Sequence, residues 1–362
     1  MQDLRSPHTK PVANGVEQQP NSLPPFQAPW WLGSTHLQTI LAKYLAPKHQ
    51  IATRQSMLQL PDGDELQLNW GVQRQPSPNT PLVVLLHGLE GNLHSHYIQG
   101  MLKSLEMQGY ATVLMHFRGC HGKANKLPRA YHSGDTADFG YFVSTLQQQF
   151  PDVPLAAIGF SLGGNVLVKY CGEQGPANPL FAAVAVSAPL DLSASADRIN
   201  QGFSRVYQRY LLGRLKATMQ RKLAAHASFP LPVNEADIQQ LQSIRQFDNL
   251  ITAPMHDFLH AEDYYQRCSG KAFLRQVAKP LLLVHAEDDP FLGASSIPNA
   301  EELNPYVQLM LSPKGGHVGF VAGTMPWRRY YWLEQIAPQF LEQQRPASTR
   351  SNSQIHSQHE KF

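Results

Sequence analysis

Three kinds of side chain in this sequence could together carry out acyl chemistry. Ser161 lies in Gly159-Phe160-Ser161-Leu162-Gly163, between an apolar run that starts at Leu155 and a helix-like run that starts at Leu162. A G-x-S-x-G at a strand-to-helix junction puts the serine on a sharp turn, its hydroxyl presented at the end of a sheet. Glycines are needed there because a Cβ at either site would crowd the turn. The helix that follows aims free N–H groups and its positive end at whatever Ser161 attacks. A neutral hydroxyl is a poor nucleophile and needs an adjacent base. Of the 16 histidines, His317 in Lys314-Gly315-Gly316-His317-Val318 is the best placed, in a glycine-rich loop after the last strand. The imidazole must in turn be oriented by a carboxylate that stabilises its cation. Asp289 in Glu287-Asp288-Asp289-Pro290 is the choice, because Pro290 opens the outgoing turn, with Asp288 as the alternative. A developing oxyanion needs fixed donors, and losing one costs about 10²–10³ in rate. The backbone N–H groups of Leu162 and Leu89 are assigned to it, with His87 in His87-Gly88-Leu89 as a structural residue.

The elements that must position these groups read as alternating strands and helices. Gln55 to Leu60 and Glu65 to Trp70 alternate apolar with polar around Pro61-Asp62-Gly63-Asp64, a hairpin pattern. Leu82–Leu86, Tyr110–Phe117, Leu155–Phe160, Phe181–Ala188, Leu281–Ala286 and Val307–Leu311 are short apolar runs that read as buried strands. Helical spacing is expected over Tyr97–Gln108, Asp135–Phe150 and Trp327–Leu341. Such alternation implies a mostly parallel sheet covered by helices on both faces, with ligands at the strand C-terminal ends. Each candidate residue above follows one of these strands. Residues 190–278 break the alternation and read as a helical lid inserted before the strand at Leu281. Residues 1–25 and 343–362 are polar and read as disordered tails around a single domain, 26–342. Pro29 to Ile40 reads as a short helix whose Trp30 and Trp31 anchor it to the main body.

The 362 residues carry 30 Lys and Arg against 27 Asp and Glu, a formal net charge of +3 with no concentrated basic block. Nucleic acid is therefore not an expected partner. Cys120, Cys171 and Cys268 form no C-x-x-C and read as buried thiols of a reducing compartment. No apolar run reaches the length of a membrane span, and the N-terminus lacks the apolar core of a signal peptide. Cytoplasmic location without stable membrane insertion is the expectation. His94 and His96 form an H-x-H with no third ligand at a recognisable spacing, so no metal and no cofactor are expected. Arg118, at the end of a strand, reads as a structural ion-pair partner of Asp135 or Asp138, with anionic-substrate binding as its alternative.

Several motifs jointly resemble the YheT-like branch of the alpha/beta-hydrolase superfamily, bacterial relatives of eukaryotic membrane-anchored lipid hydrolases. They are Trp31-Leu32 with His36-Leu37-Gln38-Thr39, His87-Gly88-Leu89-Glu90-Gly91, Phe117-Arg118-Gly119-Cys120 and Tyr131-His132-Ser133-Gly134-Asp135-Thr136. Gly159 to Asn165, Ala286 to Phe291 and Gly315-Gly316-His317 complete the set. The resemblance spans roughly residues 25 to 340. It implies the alpha/beta-hydrolase fold, a Ser161–Asp289–His317 triad and carboxylic-ester hydrolysis through an acyl-enzyme. Acyl transfer, thioester cleavage and phospholipid deacylation are alternatives on the same fold, and a non-catalytic binding protein is a further one. Leu89 with Phe247, Phe258, Tyr264 and Tyr265 of the insertion suggests an acyl chain in the pocket, hence a small ester or a lipid-like substrate. One departure stands out: family members usually have glycine where this chain has Asp257, before Phe258. Nothing in the sequence fixes an oligomeric state.

Overall fold

The computed structural model describes residues 23–47, 51–226 and 233–347. Eight strands form one sheet: β1 (Thr53–Gln59), β2 (Glu65–Gly71), β3 (Leu82–Leu86), β4 (Ala111–Met115), β5 (Leu155–Phe160), β6 (Leu180–Val186), β7 (Leu281–Ala286) and β8 (Val307–Ser312). Their spatial order is β1-β2-β4-β3-β5-β6-β7-β8. The hairpin β1–β2 and the β2–β4 pair are antiparallel, and every later pair is parallel. Strands β3, β4, β5 and β7 are buried along their whole length. A strand covered on both faces needs apolar side chains at every position, which is why these read as unbroken apolar runs.

The main helices are α1 (Thr35–Leu45), α2 (His96–Met107), α3 (Ala137–Gln149) and α4 (Leu162–Gln174), and the insertion follows with α5 (Leu192–Ile199), α6 (Ser204–Ala225), α7 (Glu235–Gln240), α8 (Ile244–Phe247), α9 (Ala253–Met255) and α10 (Ala261–Cys268). The chain closes with α11 (Leu333–Gln344). Helices α3 and α4 bury Phe139, Phe142, Val166 and Leu167 on one face of the sheet. Helices α2 and α11 bury Ile98, Leu102, Ile336 and Phe340 on the other. Two apolar layers around a central sheet hold the strand ends at fixed positions.

Helices α5 to α10 lie between β6 and β7, over the stretch read as the insertion. The closing helix is shorter than expected. It begins at Leu333, because Tyr330–Tyr331 pair with Val321–Ala322 in a small antiparallel ribbon and Pro326–Arg328 form a separate 3-10 turn. The body also starts earlier than residue 26. Leu23 and Phe26 are buried in the second core layer, and the Trp332 indole donates to the Pro24 carbonyl at 3.2 Å. At the other end α11 runs past 342 to Gln344, and Arg345 donates to the Asn79 carbonyl at 2.7 Å. The rest of the two expected tails, 1–22 and 348–362, lies outside the described residues.

The first tryptophans do anchor their segment. Trp31 Nε1 donates to the Gly323 carbonyl and Trp30 Nε1 to that of Thr324, each at 3.1 Å. Arg118 is buried among three carboxylates: Asp138 receives a two-pronged bond at 2.7 Å, and Asp62 and Asp64 of the hairpin turn lie at 2.8 and 2.9 Å. With its donors so engaged, Arg118 ties the hairpin to α3, the structural role. Asp135 is not its partner; Arg129 takes that carboxylate at 2.8 Å.

Candidate active site

Ser161 sits between β5 and α4 with φ +51° and ψ −119°, a conformation that L-residues rarely adopt. Close packing enforces it. A Cβ on Gly163 would lie 2.5 Å from the His87 carbonyl oxygen and 2.7 Å from that of Leu86, and one on Gly159 would collide with Gly163 itself. The turn is held by the Ser161 amide donating to the Val186 carbonyl at 2.8 Å. Asn165, one turn into α4 and fully buried, donates to the Ser133 and Cys268 carbonyls and accepts from the Gly270 amide at 2.8 Å. That amide side chain joins the serine's helix to the base of the insertion.

The structure brings the three distant residues together. His317 Nε2 is 3.0 Å from Ser161 Oγ, and His317 Nδ1 is 2.8 Å from Asp289 Oδ2 and 3.1 Å from Oδ1. A carboxylate beside Nδ1 can only accept, so the proton sits on Nδ1 and the Nε2 lone pair faces the hydroxyl. Asp289 is 3% exposed, and its Oδ1 also accepts from the Phe291 amide at 2.8 Å. The Phe291 ring stacks on the imidazole at 3.9 Å between centroids, nearly parallel. It fixes the tilt of the base and covers one of its faces.

Asp288 does not reach the imidazole. It accepts from Thr35 Oγ1 at 2.7 Å and from the Gly316 amide at 3.0 Å, so it shapes the loop that carries His317. That loop is held on every side. The His317 amide donates to Thr39 Oγ1 and the Val318 amide to Ser187 Oγ. Gly316 adopts φ +60° and packs where a Cβ would lie 2.8 Å from the Thr35 carbonyl oxygen, which explains the glycine.

The two residues expected to hold the oxyanion border the serine's cavity. Leu162 begins α4, where first-turn amides have no partner inside the helix. Leu89 lies in the loop after β3, and both residues line the same cavity as Ser161 and His317. His87 is structural, as expected. Its Nδ1 donates to the Gly88 carbonyl at 2.7 Å and its Nε2 accepts from the Phe117 amide at 3.1 Å. Burial pushes its pKa down to about 4, which keeps the ring neutral in that role.

The cavity holds about 1120 Å³ of free space, its open mouth included. Side chains of the insertion form much of its wall, among them Leu192, Leu215, Met219, Phe247 and Ile251. Of the expected aromatics, Phe247, Tyr264 and Tyr265 line it, whereas Phe258 packs behind the wall against Tyr264 and His132. Asp248 is buried in the wall and accepts from Tyr265 Oη and Thr252 Oγ1, each at 2.7 Å, and burial raises its pKa to about 6. Lys222 donates to the carbonyls of Leu127, Pro128 and Arg129, and desolvation lowers its pKa to about 8. Cys120, Cys171 and Cys268 are free and buried, and burial raises every one of the three thiols, which makes them poor nucleophiles. Among the described residues no group of three or more His, Cys, Asp and Glu gathers to hold a metal ion. None of the helices there is long and apolar enough to cross a membrane.

Glu90 is a site residue that the sequence did not single out. Its backbone turns at φ +54°, its carboxylate accepts from Tyr131 Oη and Thr218 Oγ1, and its carbonyl accepts from Arg214. It therefore ties the Leu89 loop to α6 across the cavity, and burial raises its pKa. Only its place beside His87-Gly88-Leu89 hints at this, since Thr218 and Arg214 are over a hundred residues away. Phe291 likewise carries no local signal for stacking on His317.

An elbow serine, an imidazole and a buried carboxylate at the C-terminal rim of a mostly parallel sheet form the site geometry of serine hydrolases. Comparison with known proteins agrees. A family profile described as "alpha/beta hydrolase fold" matches residues 81–324. The protein named "Putative esterase YheT" of Escherichia coli (strain K12) is 44% identical over 306 residues, which is 84% of this chain and 89% of that protein. "Phospholipase ABHD3" of Mus musculus is 28% identical over 319 residues, 86% of this chain and 77% of that one. The solved structure of the Pyrococcus furiosus esterase Pf2001 superposes with a TM-score of 0.51 at 15% identity, covering 81% of this chain and 93% of the other, a likeness of fold. The chain belongs to the alpha/beta-hydrolase family, in its YheT-like branch.

Proposed function

We propose that this protein is a serine esterase that cleaves carboxylic esters with an apolar acyl chain, through an acyl-enzyme on Ser161. The observation that carries this reading is the continuous hydrogen-bond path Ser161–His317–Asp289 at the mouth of a cavity walled by apolar side chains. His317 takes the Ser161 proton at Nε2 as Oγ attacks the ester carbonyl. The tetrahedral oxyanion is held by the Leu162 and Leu89 amides. Asp289 stabilises the imidazolium, which then protonates the leaving alcohol. Water, activated by the same imidazole, attacks the acyl-enzyme and frees the acid. The acyl chain lies along Leu215, Met219 and Ile251. The esterase named among the relatives supports the reaction class.

Deacylation of a phospholipid is the second reading, favoured by the likeness to the mouse phospholipase over most of both chains. Three free buried cysteines support work in a reducing compartment, the cytoplasm. The test is hydrolysis of p-nitrophenyl esters of graded chain length by the wild type and by Ser161→Ala. The wild type turns over, with a preference for chains longer than acetate, and the variant falls to background with an unchanged melting curve. Activity retained by the folded variant would remove Ser161 from the reaction. Fatty-acid release from a phospholipid, run beside it, separates the two readings.

A further inference from the structure

Along α1, the start of α6 and the 324–330 loop lies a surface that is aromatic and cationic together. Trp30, Tyr44 and Trp327 are 79%, 73% and 75% exposed, and Phe203 and Tyr210 are more than half exposed. Scattered exposed apolar residues are ordinary, but grouped ones signal a partner. These are grouped. Trp30 reaches the Thr324 carbonyl, and Arg329 donates to the Leu45 carbonyl at 2.9 Å, which joins the 324–330 loop to the end of α1. Lys43 Nζ lies 6.0 Å from the Tyr44 ring centre and 5.7 Å from that of Tyr210, which joins α1 to α6. Phe203, just before α6, packs on His36 of α1 at 4.4 Å.

The charge on this surface has one sign. Lys43, Arg205, Arg209, Arg328 and Arg329 are exposed there. Residues 30–47, 203–225 and 323–333, which build it, contain no Asp or Glu at all, although the whole chain is close to balanced. Helix α6 divides cleanly: Val206 and Tyr210 face out with Arg205 and Arg209, while Leu215 and Met219 face the cavity. The surface is also close to the proposed base, because Tyr207 packs on Phe291 at 5.0 Å and Phe291 stacks on His317.

We propose that this face rests on an anionic lipid bilayer. Tryptophan and tyrosine settle at the headgroup level, and Arg and Lys beside them pair with lipid phosphates. A second copy of this chain fits poorly, since a two-fold contact would oppose the same cations. Docking leaves α6 as the wall between bilayer and cavity, so an acyl chain drawn from the membrane has a short route to Ser161. The docking does not depend on the proposed chemistry and can be measured without it.

The test is sedimentation of the full chain with vesicles of phosphatidylcholine alone and of equal parts phosphatidylcholine and phosphatidylglycerol. The protein pellets with the anionic vesicles, far less with the neutral ones, and is released as salt is raised. Arg205→Gln with Arg209→Gln weakens partitioning about 30-fold, from two cations lost at the lipid surface, and Trp327→Ala weakens it about tenfold from lost apolar burial. All three substitutions are on the outer surface and leave hydrolysis of a soluble short ester unchanged. Ser161→Ala still pellets, so a failure of the esterase reading and a failure of the docking reading look different. Equal pelleting with both vesicles, no pelleting with either, or wild-type pelleting by the variants would overturn the proposal. So would a concentration-dependent dimer that Trp327→Ala dissolves.

Discussion

Replacing Asp289 by asparagine separates the two neighbouring acids by what each can accept. Asp289 Oδ1 receives the Phe291 amide at 2.8 Å, and a backbone N–H cannot reverse its polarity. An asparagine must therefore keep its oxygen there and place its NH₂ at the Oδ2 position, 2.8 Å from His317 Nδ1. Facing a donor, Nδ1 gives up its proton and the ring carries it on Nε2, 3.0 Å from Ser161 Oγ. An Nε2–H cannot take the serine's proton, and no carboxylate remains to stabilise the imidazolium. In the opposite orientation the NH₂ opposes the part-buried Phe291 amide at a cost of about 1–3 kcal/mol, and the cation is still unsupported. Asp289→Asn should lower kcat about 10⁴-fold with little change in KM. Asp288→Asn keeps an oxygen for the Gly316 amide, and the Thr35 hydroxyl can rotate to accept from the new NH₂. That variant should lose less than about tenfold in kcat, the scale of one hydrogen bond. Steady-state hydrolysis of a p-nitrophenyl ester, with melting curves as the control for folding, reads both. A kcat for Asp289→Asn within tenfold of wild type, or a larger loss for Asp288→Asn, would refute the reasoning.

Three other substitutions test the supports. Gly163→Ala forces a methyl against the Leu86 and His87 carbonyls, so it should lower the melting temperature by the equivalent of about 3 kcal/mol or abolish soluble expression; a stable, active variant would show that the elbow can relax. Asp248 holds its proton to about pH 6 in the folded chain, against an ordinary value of 3.8. The folded state thus binds more protons than the unfolded one between those values, and stability falls as pH rises through them, by about 3 kcal/mol in all. Asp248→Asn should remove that share of the fall, seen as a shallower loss of stability than the wild type's between pH 4 and pH 6, and an unchanged pH slope would contradict it. Asp257 stands at φ +56°, where glycine is unstrained, so Asp257→Gly should stabilise by about 0.5 kcal/mol after the greater entropy of an unfolded glycine is subtracted. A lower melting temperature for that variant would show that the aspartate side chain has a role of its own.

The central strands were legible because they are buried on both faces and therefore apolar without interruption, so Leu82–Leu86 and Leu281–Ala286 match their expected ranges to the residue. The elbow was legible because its glycines are a steric necessity. The closing helix was misread at its start because Tyr330, Tyr331 and Trp332 are apolar in any conformation, and only pairing with Val321–Ala322 makes the first two a strand. Between Asp288 and Asp289 the sequence offered only the turn opened by Pro290, and the contacts that separate them, Asp289 to His317 Nδ1 and Asp288 to Thr35 and Gly316, are made with distant segments. The roles of Glu90 and Phe291 arise from contacts across the cavity, which no local pattern encodes. Asp257 was noticed as a departure from family pattern, and its left-handed backbone explains why glycine usually stands there.

The central claim is that Ser161 is the nucleophile, and a fluorophosphonate reports on it without knowledge of the natural ester. Treated with such a probe and digested, the protein should carry one adduct, on the peptide that contains Ser161. Ser161→Ala should carry none, and His317→Ala should label orders of magnitude more slowly. An adduct on another residue, or undiminished labelling of folded Ser161→Ala, would contradict the account.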